Sequence, residues 1–266
     1  MLTGILNSKL AAWFVFHETA NLGTDRAKVH QSELLGIPFP EPADLPDEAL
    51  ATVAAGKIVA LVDDAIATAD EVLMSPRSFL EEIDGLVFKY FGLSEDEIAV
   101  VEDTLDYTVP AMQPRVDERP AFWTPCGRQD RIRYAETLTR AIERWLLPDA
   151  GIAIDLVGIG ADLAALRVRL LSGAESRTFY CEAAASEISD VLNRIWDALP
   201  VSLPGNFQII PDLRIFLDDD MYMVKPRQLR YWLRSSALAD ADEVAADLHQ
   251  ASTRGREGAQ AAYADR

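Results

Sequence analysis

Apolar residues in the first part of the chain recur at the three- and four-residue steps that are typical of helices. The stretch Ile5–Ala20 is apolar and lacks Gly and Pro, so it predicts a buried helix, with a strand over Trp13–Phe16 as the alternative. A second, long helix is predicted between Asp47, as its N-cap residue, and Pro76, because apolar residues recur at these steps from Leu50 to Val72. This part of the chain therefore predicts long helices.

Prolines and capping residues indicate further boundaries in the same part. Two more helices are predicted over Ser78–Phe91 and Glu95–Thr108, and Ser94 with Glu97 forms the capping box of the second. Lys28–Ile37 predicts a loop and a short strand. The prolines predict a linker (Pro38–Pro46), the end of the long helix (Pro76) and an extended connector (Pro110, Pro114, Pro120, Pro125).

The pattern changes after about residue 125, where short apolar runs and turn residues predict strands and hairpins. The predicted strands are Ile152–Val157, Leu166–Leu171, Arg177–Cys181, Leu213–Leu217 and Met221–Val224. The predicted helices are Arg131–Leu146, Ser186–Leu199, one opened by Pro226, and Asp240–Gln250, with a frayed tail from Ser252. We therefore predict an α+β fold with two units, a mainly helical one over residues 1–125 and an α+β one with hairpins over residues 126–266.

Composition and charge restrict the class of protein. With 266 residues, of which 49% are hydrophobic and 26% charged, the chain has the composition of a globular protein. Cys126 and Cys181 do not suggest a disulfide framework and no secretory signal is recognised, so a cytoplasmic location is expected. The net charge of -18 disfavours a free-standing DNA-binding protein, because DNA phosphates attract Lys and Arg.

Three stretches of the sequence carry a resemblance to restriction–modification proteins. The first, Ile5–Pro42, reads ILNSKLAAWFVFHETANLGTDRAKVHQSELLGIPFPEP, and the second, Ile83–Asp103, reads IDGLVFKYFGLSEDEIAVVED, with Phe91 where Tyr is usual. The third, Tyr222–Leu248, reads YMVKPRQLRYWLRSSALADADEVAADL. In order, they resemble the end of the target-recognition domain of type I specificity subunits and type IIG enzymes, the segment that follows this domain, and the C-terminal end of adenine-specific DNA methyltransferases.

This resemblance implies a C-terminal portion, or a separately encoded part, of a DNA methyltransferase or specificity subunit. The catalytic methylase domain is then expected in a partner, so the chain is expected to be non-catalytic alone, to need no cofactor and to contribute to assembly and DNA specificity. The sequence also lacks the Pro-Pro dipeptide of the motif that holds the target amine. The expected partner is a DNA methyltransferase or restriction subunit, with DNA bound only within that complex.

Two segments carry weaker indications of catalysis. Ile154–Gly160 ends a predicted strand in glycines and would suit adenosylmethionine, but the usual third glycine is missing, which favours a turn between strands. Asp212, Asp218–Asp220 and Lys225 would suit a metal-dependent nuclease. However, Met223 stands where an acidic residue is needed, which favours a solvated hairpin turn. The three histidines lie in different elements and the two cysteines are isolated, so no metal site is predicted.

Basic residues supply the candidate DNA contacts. One group lies in the stretch that resembles a recognition domain. In the other, three arginines are predicted to share one helix face beside a lysine, and pairing with nearby aspartates is the favoured alternative there. The first group is Lys9, Arg26, Lys28 and His30, and the second is Lys225, Arg227, Arg230 and Arg234. Arg128, Arg131 and Arg133 form a further basic cluster.

The predicted helix Ile5–Ala20 gives the most direct indication of a protein partner. In a complete recognition domain it would pack on strands that this chain lacks, so an uncovered apolar face would need a partner or self-association. The five tryptophans are expected to anchor the core. Three hypotheses remain: a non-catalytic subunit of a restriction–modification system, a structural or interaction protein such as a homo-oligomer without a DNA role, and a divergent methyltransferase or nuclease.

Overall fold

The computed structural model describes residues 1–18, 29–68, 76–112, 119–147, 150–172, 186–198, 213–217 and 220–264, with side chains up to residue 250. The chain folds into two compact units, Met1–Ala121 (unit 1) and Phe122–Arg266 (unit 2). Within the described residues, unit 1 is helical, whereas unit 2 combines helices with a mixed five-stranded sheet. The predicted α+β class is confirmed.

Unit 1 begins with two helices where a single helix over Ile5–Ala20 is predicted. Helix α1 covers Leu2–Leu6, and α2 covers Lys9–Glu18. Ser8 separates them, because its hydroxyl donates to a carbonyl of α1 at 2.7 Å and accepts from the N–H of Ala11 at 3.3 Å, which caps α2. The prediction of one continuous helix is therefore wrong at Ser8, and its last two residues lie outside the described chain.

Helix α3, Gln31–Leu34, lies in the segment Lys28–Ile37, for which a loop and a short strand are predicted. The backbone N–H of His30 donates to the carboxylate of Glu33 at 2.6 Å, and this capping bond supports a single helical turn. The predicted short strand is therefore wrong for the described part of this segment.

Helices α4, Glu48–Ala67, and α5, Pro76–Phe91, follow in the chain. Asp47 caps α4 as predicted, since its carboxylate accepts from the N–H of Leu50 at 2.9 Å. The predicted end of α4 at Pro76 is wrong. Proline suits the first position of a helix, because an N–H group at that position has no partner within the helix. Pro76 accordingly begins α5.

Helix α6, Glu95–Asp103, continues through a π-helical turn, Thr104–Thr108, into α7, Val109–Met112. The predicted capping box at Ser94 is confirmed. Pro110 lies within α7, so the extended connector predicted to begin there is wrong at this residue. Because proline cannot donate to the carbonyl four residues earlier, the wider π turn just before it accommodates the lost bond.

A hydrophobic core joins α1, α4 and α5 in unit 1. Its buried residues are Ile5, Ala51, Ala54, Ile58, Val62, Ile83, Val87 and Tyr90. The members from α4 recur at three- and four-residue steps, so they occupy one face of that helix. Each large aliphatic side chain buried in this way contributes about 1.5–3 kcal/mol. The core therefore fixes the inward face of α4 and leaves its opposite face outside.

The sheet of unit 2 contains the described strands β1 (Ala150–Ile159), β2 (Leu163–Ser172), β3 (Ser186–Glu187), β4 (Leu213–Leu217) and β5 (Asp220–Pro226). Their spatial order is β3-β1-β2-β5-β4. The neighbours pair antiparallel except β3, which is parallel to β1. The four predicted strands that fall on described residues are confirmed, and the predicted strand Arg177–Cys181 lies outside them.

Helices pack on both faces of this sheet. Helix α8 covers Arg128–Glu143, α9 covers Ile188–Ala198 and α10 covers Arg234–Ala264. Successive residues of a strand point to opposite faces. On β5, Val224 packs in the hydrophobic cluster with α9, whereas Lys225 bonds to side chains of α8 and α10. Helix α9 therefore covers one face, and α8 with α10 covers the other.

Between β5 and α10 the chain forms only a 3-10 turn, Leu229–Tyr231, where an α-helix opened by Pro226 is predicted. The carbonyl of Arg227 accepts from the N–H of Cys126 at 2.6 Å, and the N–H of Leu229 donates to the carbonyl of Thr124 at 2.8 Å. Because these backbone groups pair with another segment, they are not free for helical bonds. The predicted helix at Pro226 is therefore wrong.

The helices of unit 2 differ from their predictions mainly at the ends. The first two residues of the predicted helix Ser186–Leu199 pair with β1 instead, so α9 begins at Ile188. Helix α8 is shifted towards the N-terminus, to Arg128–Glu143 from the predicted Arg131–Leu146. Helix α10 begins before the predicted Asp240 and continues to Ala264, beyond the predicted start of a frayed tail.

Candidate functional site

An apolar pocket of about 240 Å³ opens on unit 1. Helices α1 and α2, the chain after α3 and the end of α5 form its walls. Its lining residues are Ile5, Leu10, Ala11, Trp13, Phe14, Ile37, Pro38, Phe91 and Leu93. Because these side chains are aliphatic or aromatic, the pocket favours burial of an apolar group over binding of a charged one.

The end of α5 brings one wall of the pocket into place. Gly92 has a φ of 67°, which a glycine adopts without strain, and its N–H donates to the carbonyl of Lys89 at 3.2 Å. The N–H of Leu93 donates to the carbonyl of Phe88 at 3.0 Å. These two bonds form a Schellman motif, which ends the helix and turns the next side chain back towards it. Leu93 thereby reaches the pocket.

A long-range hydrogen bond holds the opposite wall. The hydroxyl of Tyr90 on α5 donates to the carbonyl of Pro40 at 2.5 Å. Burial, with the nearby carboxylates of Glu41 and Asp44, raises the pKa of Tyr90, so the donor proton is retained. This bond fixes the proline-containing segment against α5 and positions Ile37 and Pro38.

Asp84 of α5 anchors the helix that forms the floor of the pocket. Its carboxylate accepts from the backbone N–H of Lys9, the first residue of α2, at 2.6 Å. Asp84 is only 8% exposed, and burial raises its pKa, although the bond from Lys9 opposes that shift. A carboxylate at this helix terminus also interacts favourably with the helix dipole. Helix α2 is therefore positioned by Ser8 and Asp84 together.

Exposed apolar side chains continue around the pocket wall formed by Ile37 and Pro38. Leu35 is 79% exposed and Phe39 is 47% exposed, on either side of these two residues in the chain. Leu34, which directly precedes Leu35, is 41% exposed. A pocket with such a margin resembles the apolar centre of a protein–protein interface more than a closed small-molecule site.

The two units differ strongly in charge. Unit 1 contains 8 Lys and Arg residues against 22 Asp and Glu residues, whereas unit 2 contains 17 against 21. The pocket therefore lies on the unit that carries most of the negative charge of the chain. A surface of this kind attracts basic partners and repels nucleic acid.

The first group of candidate DNA contacts lies in acidic unit 1. The ammonium of Lys9 forms an ion pair with Asp106 at 3.0 Å, and His30 is exposed as the residue before α3. Arg26 and Lys28 lie outside the described residues. The structure thus places Lys9 against a carboxylate, and a DNA contact by this group stays a prediction.

Lys225, from the second candidate group, is buried in unit 2 with 2% exposure. Its ammonium donates to the carboxylate of Asp240 and, at 3.0 Å, to the hydroxyl of Tyr134, which in turn donates to the same carboxylate. The ammonium also lies 4.5 Å from the centre of the Tyr134 ring. This pairing with an aspartate is the alternative that the sequence favoured, and it leaves Lys225 inaccessible to a phosphate in this arrangement.

The three arginines of the second group do not share a helix face, so that part of the prediction is wrong. Arg227 follows β5 and donates to the carbonyl of Gly160 at 2.6 Å. Arg230 lies in a short 3-10 turn, Leu229–Tyr231, and its guanidinium is 4.2 Å from the ring centre of Trp123. Arg234 begins α10. Whether they contact DNA from these separate positions stays a prediction.

The glycines considered for a cofactor loop instead allow close packing. Gly158 lies in β1 and Gly160 lies just after it. A Cβ atom at Gly158 would lie 2.7 Å from Val191, and one at Gly160 would lie 2.4 Å from Ile188. Both contacts are with α9, so these glycines let the helix approach the sheet. This agrees with the interpretation of the segment as a turn between strands, and not with a loop that binds adenosylmethionine.

Of the residues considered for a nuclease, the structure describes only Asp220 and Lys225, and these two are separated. Asp220 and Lys225 are five residues apart on β5, so their side chains point to opposite faces of the sheet. On its own face, Asp220 lies 3.8 Å from the guanidinium of Arg167. Asp212, Asp218 and Asp219 lie outside the described residues. Among those described, no group of His, Cys, Asp and Glu is arranged to hold a metal ion.

Arg167 and Arg169 of β2 converge on one carboxylate of the sheet. Asp155 accepts from Arg169 at 2.8 Å and from Arg167 at 3.0 Å. Burial lowers the pKa of Arg167, but the hydrogen bond and charge of Asp155 outweigh that effect and raise it overall. The cluster therefore neutralises a mostly buried carboxylate within the sheet.

The remaining reactive side chains show no catalytic arrangement in the described parts of the chain. Cys126 is buried, and burial raises the pKa of its thiol, which disfavours the reactive thiolate. His17 lies 4.5 Å from Trp13, measured between ring centres. Of the further basic cluster, Arg131 is buried and donates to the carbonyl of Cys126, whereas Arg128 and Arg133 are exposed.

Sequence reasoning identified the apolar helix at the pocket but not the pocket itself. Its other walls come from Ile37 and Leu93, which are distant in sequence from α2. The pair Gly92-Leu93 after an apolar helix was an available signal, because a glycine followed by an apolar residue is typical of a Schellman end.

Comparison with protein-family models, with curated proteins and with solved structures found no match for this chain. The resemblance to restriction–modification proteins accordingly stays a prediction from the three quoted stretches. Within the described residues, no helix combines the length and apolar character needed to span a membrane.

Proposed function

We propose that this chain is a non-catalytic, cytoplasmic subunit of a restriction–modification DNA methyltransferase system, and that it binds the methyltransferase through the pocket of unit 1. The observation that carries this proposal is the open apolar pocket lined by α2. That helix belongs to the stretch resembling the end of a recognition domain, where a partner would be expected to cover it.

The chemistry of the pocket defines what part of the partner enters it. An aliphatic or aromatic side chain would be buried against Phe14, Ile37 and Leu93, and exposed Leu35 and Phe39 would extend the contact. Anchors of this kind supply most of the binding energy of protein interfaces.

The charge of unit 1 defines the surface around that anchor. With 22 acidic and 8 basic residues, unit 1 favours a basic partner surface. DNA methyltransferases need positive charge to hold DNA phosphates, so such a surface is expected on them. In this arrangement the methyltransferase supplies the chemistry and most of the DNA contacts, and this chain contributes to assembly and possible specificity.

Purification of the tagged chain from its native host tests the proposal. We expect a DNA methyltransferase to co-purify in stoichiometric amount and to be released at high salt, because acidic–basic contacts are screened. Phe14→Ser should strongly reduce recovery of the enzyme, whereas Ala12→Ser, on an exposed position of the same helix outside the pocket, should not. Recovery of the chain alone, or equal recovery with Phe14→Ser, would contradict the proposal.

A further inference from the structure

Helix α4 exposes an apolar face that nothing in the described part of unit 1 covers. Its buried positions Ala54, Ile58 and Val62 face the core. On its remaining surface Val53 is 56% exposed and Ile66 is 69% exposed. Leu50 and Val59 are also exposed, by 43% and 40%. Exposed aliphatic side chains of this size along one helix are a common mark of a surface that another element covers.

The exposed face has the spacing of a helix–helix seam. Its central positions alternate in steps of four and three residues, which is the repeat by which two helices pack along their length. These positions are Ala49, Val53, Gly56, Ala60, Asp63 and Ala67, and all six are exposed. The face extends about 30 Å along the twenty residues of α4.

Two charges beside this seam identify the occupant. Lys57 and Asp64 lie on the same side of the face, seven residues apart. That separation is two helical turns, about 10 Å, so they do not pair with each other within one helix. In an antiparallel pair of α4 helices, Lys57 of each copy lies beside Asp64 of the other. In this orientation the charges of Lys57 and Asp64 are complementary between the two copies.

The opposite orientation is disfavoured by the same residues. In a parallel pair, Asp63 of one copy would face Asp63 of the other across the seam, and Lys57 would gain no opposite charge. The antiparallel register instead places Asp63 beside Ala60 of the other copy. From exposure, spacing and charge together, we infer that a second copy of this chain covers the face, with the two α4 helices antiparallel and Lys57 paired to Asp64 twice.

This association does not depend on the proposed function. No residue of α4 lines the pocket of unit 1, so each surface can be tested without the other. A single helix pair buries less than the roughly 800 Å² per partner of a standard interface. The dimer is therefore expected to form and dissociate with protein concentration.

Sedimentation velocity of the full chain over a range of concentrations tests this inference through two charge reversals. Lys57→Asp and Asp64→Lys each create two like-charge contacts and should weaken self-association by about tenfold or more. An equimolar mixture of the two variants restores both attractive contacts, so it should dimerise like the wild type. The double variant K57D/D64K should also dimerise.

A matched control uses the exposed ion pair Arg77–Glu81 on α5, which can be reversed as R77E/E81R without touching α4. This control should dimerise like the wild type, and circular dichroism should show that all variants remain folded. A wild-type chain that stays monomeric at every concentration would overturn the inference. So would single reversals that leave the dimer unchanged, or a mixture that fails to associate.

Discussion

Unit 1 leaves more of its large apolar side chains exposed than unit 2 does. The sheet of unit 2 has helices on both faces, and its buried Lys225 and Asp155 are both paired. Among described residues, unit 1 exposes twelve large hydrophobic side chains and unit 2 exposes six. Unit 1 also carries far the larger negative charge.

Because of this difference, we expect substitutions in the two units to have different consequences. Every buried charge of the kind seen at Lys225 requires a partner within the fold, and the fold supplies one. The pocket and the exposed face of α4 have no such internal partner among the described residues. Unit 2 is therefore expected to respond to substitution mainly by unfolding, and unit 1 mainly by losing association.

The largest effect is expected at the buried ion pair of unit 2. Asp240→Ala leaves the ammonium of Lys225 buried without its counter-ion, so the free energy of unfolding should fall by about 3–5 kcal/mol. Denaturant unfolding of the purified variant measures this loss. Asp242→Ala, on an exposed position of the same helix, should change stability little, and equal effects of both substitutions would contradict the description of Lys225.

The packing of α9 on the sheet gives the next largest effect. Gly160→Ala places a Cβ atom 2.4 Å from Ile188, so it should lower the free energy of unfolding by about 1–3 kcal/mol. Gly85→Ala in unit 1 has no atom within 4 Å of the new Cβ atom and should stabilise its helix by about 0.5–1 kcal/mol. Thermal unfolding of the two variants should therefore shift in opposite directions.

A pocket substitution in unit 1 should affect binding in preference to folding. Phe14→Ser removes an aromatic wall, and we expect the affinity for the proposed methyltransferase partner to fall about tenfold or more. Isothermal titration at one salt concentration measures the change. If Ala12→Ser weakened binding by the same factor, the contact would not be centred on the pocket.

The smallest expected effect concerns the carboxylate that positions α2. Asp84→Ala removes the acceptor of the Lys9 N–H and should cost about 1 kcal/mol, whereas Asp84→Asn keeps an acceptor and should cost less. Because burial raises the pKa of Asp84, the folded state holds this proton more tightly than the unfolded state. The free energy of unfolding of the wild type, compared with that of Asp84→Asn, should therefore decrease as the pH is raised from below 3.8 to above it. An increase over the same pH range would contradict the burial of Asp84.

Local signals in the sequence predicted local structure well. The caps at Asp47 and Ser94 depend on residues within one helical turn, and both are confirmed. The strands β1, β2, β4 and β5 follow from their apolar runs. The predicted helix at Pro226 was wrong, because the backbone there bonds to Thr124 and Cys126 instead. Such long-range pairing cannot be recognised from the neighbouring residues in the sequence.

The candidate site could be predicted only in part for the same reason. The apolar character of α2 indicated a missing partner, but the pocket also needs Tyr90 to hold the segment at Pro40. That hydrogen bond joins residues fifty positions apart, so no local sequence pattern predicts it. Pairing of this basic group with nearby aspartates was predicted as an alternative from charge alone, but on a solvated face, so the burial of Lys225 against Asp240 was not predicted.

Hydrogen–deuterium exchange of the chain, free and in complex with the proposed methyltransferase partner, is the decisive measurement for the pocket of unit 1. We expect binding to slow exchange in the helix Lys9–Glu18 and around Ile37 and Leu93, and to leave exchange in the sheet of unit 2 unchanged. Protection confined to unit 2, with the pocket segments exchanging as fast as in the free chain, would contradict it.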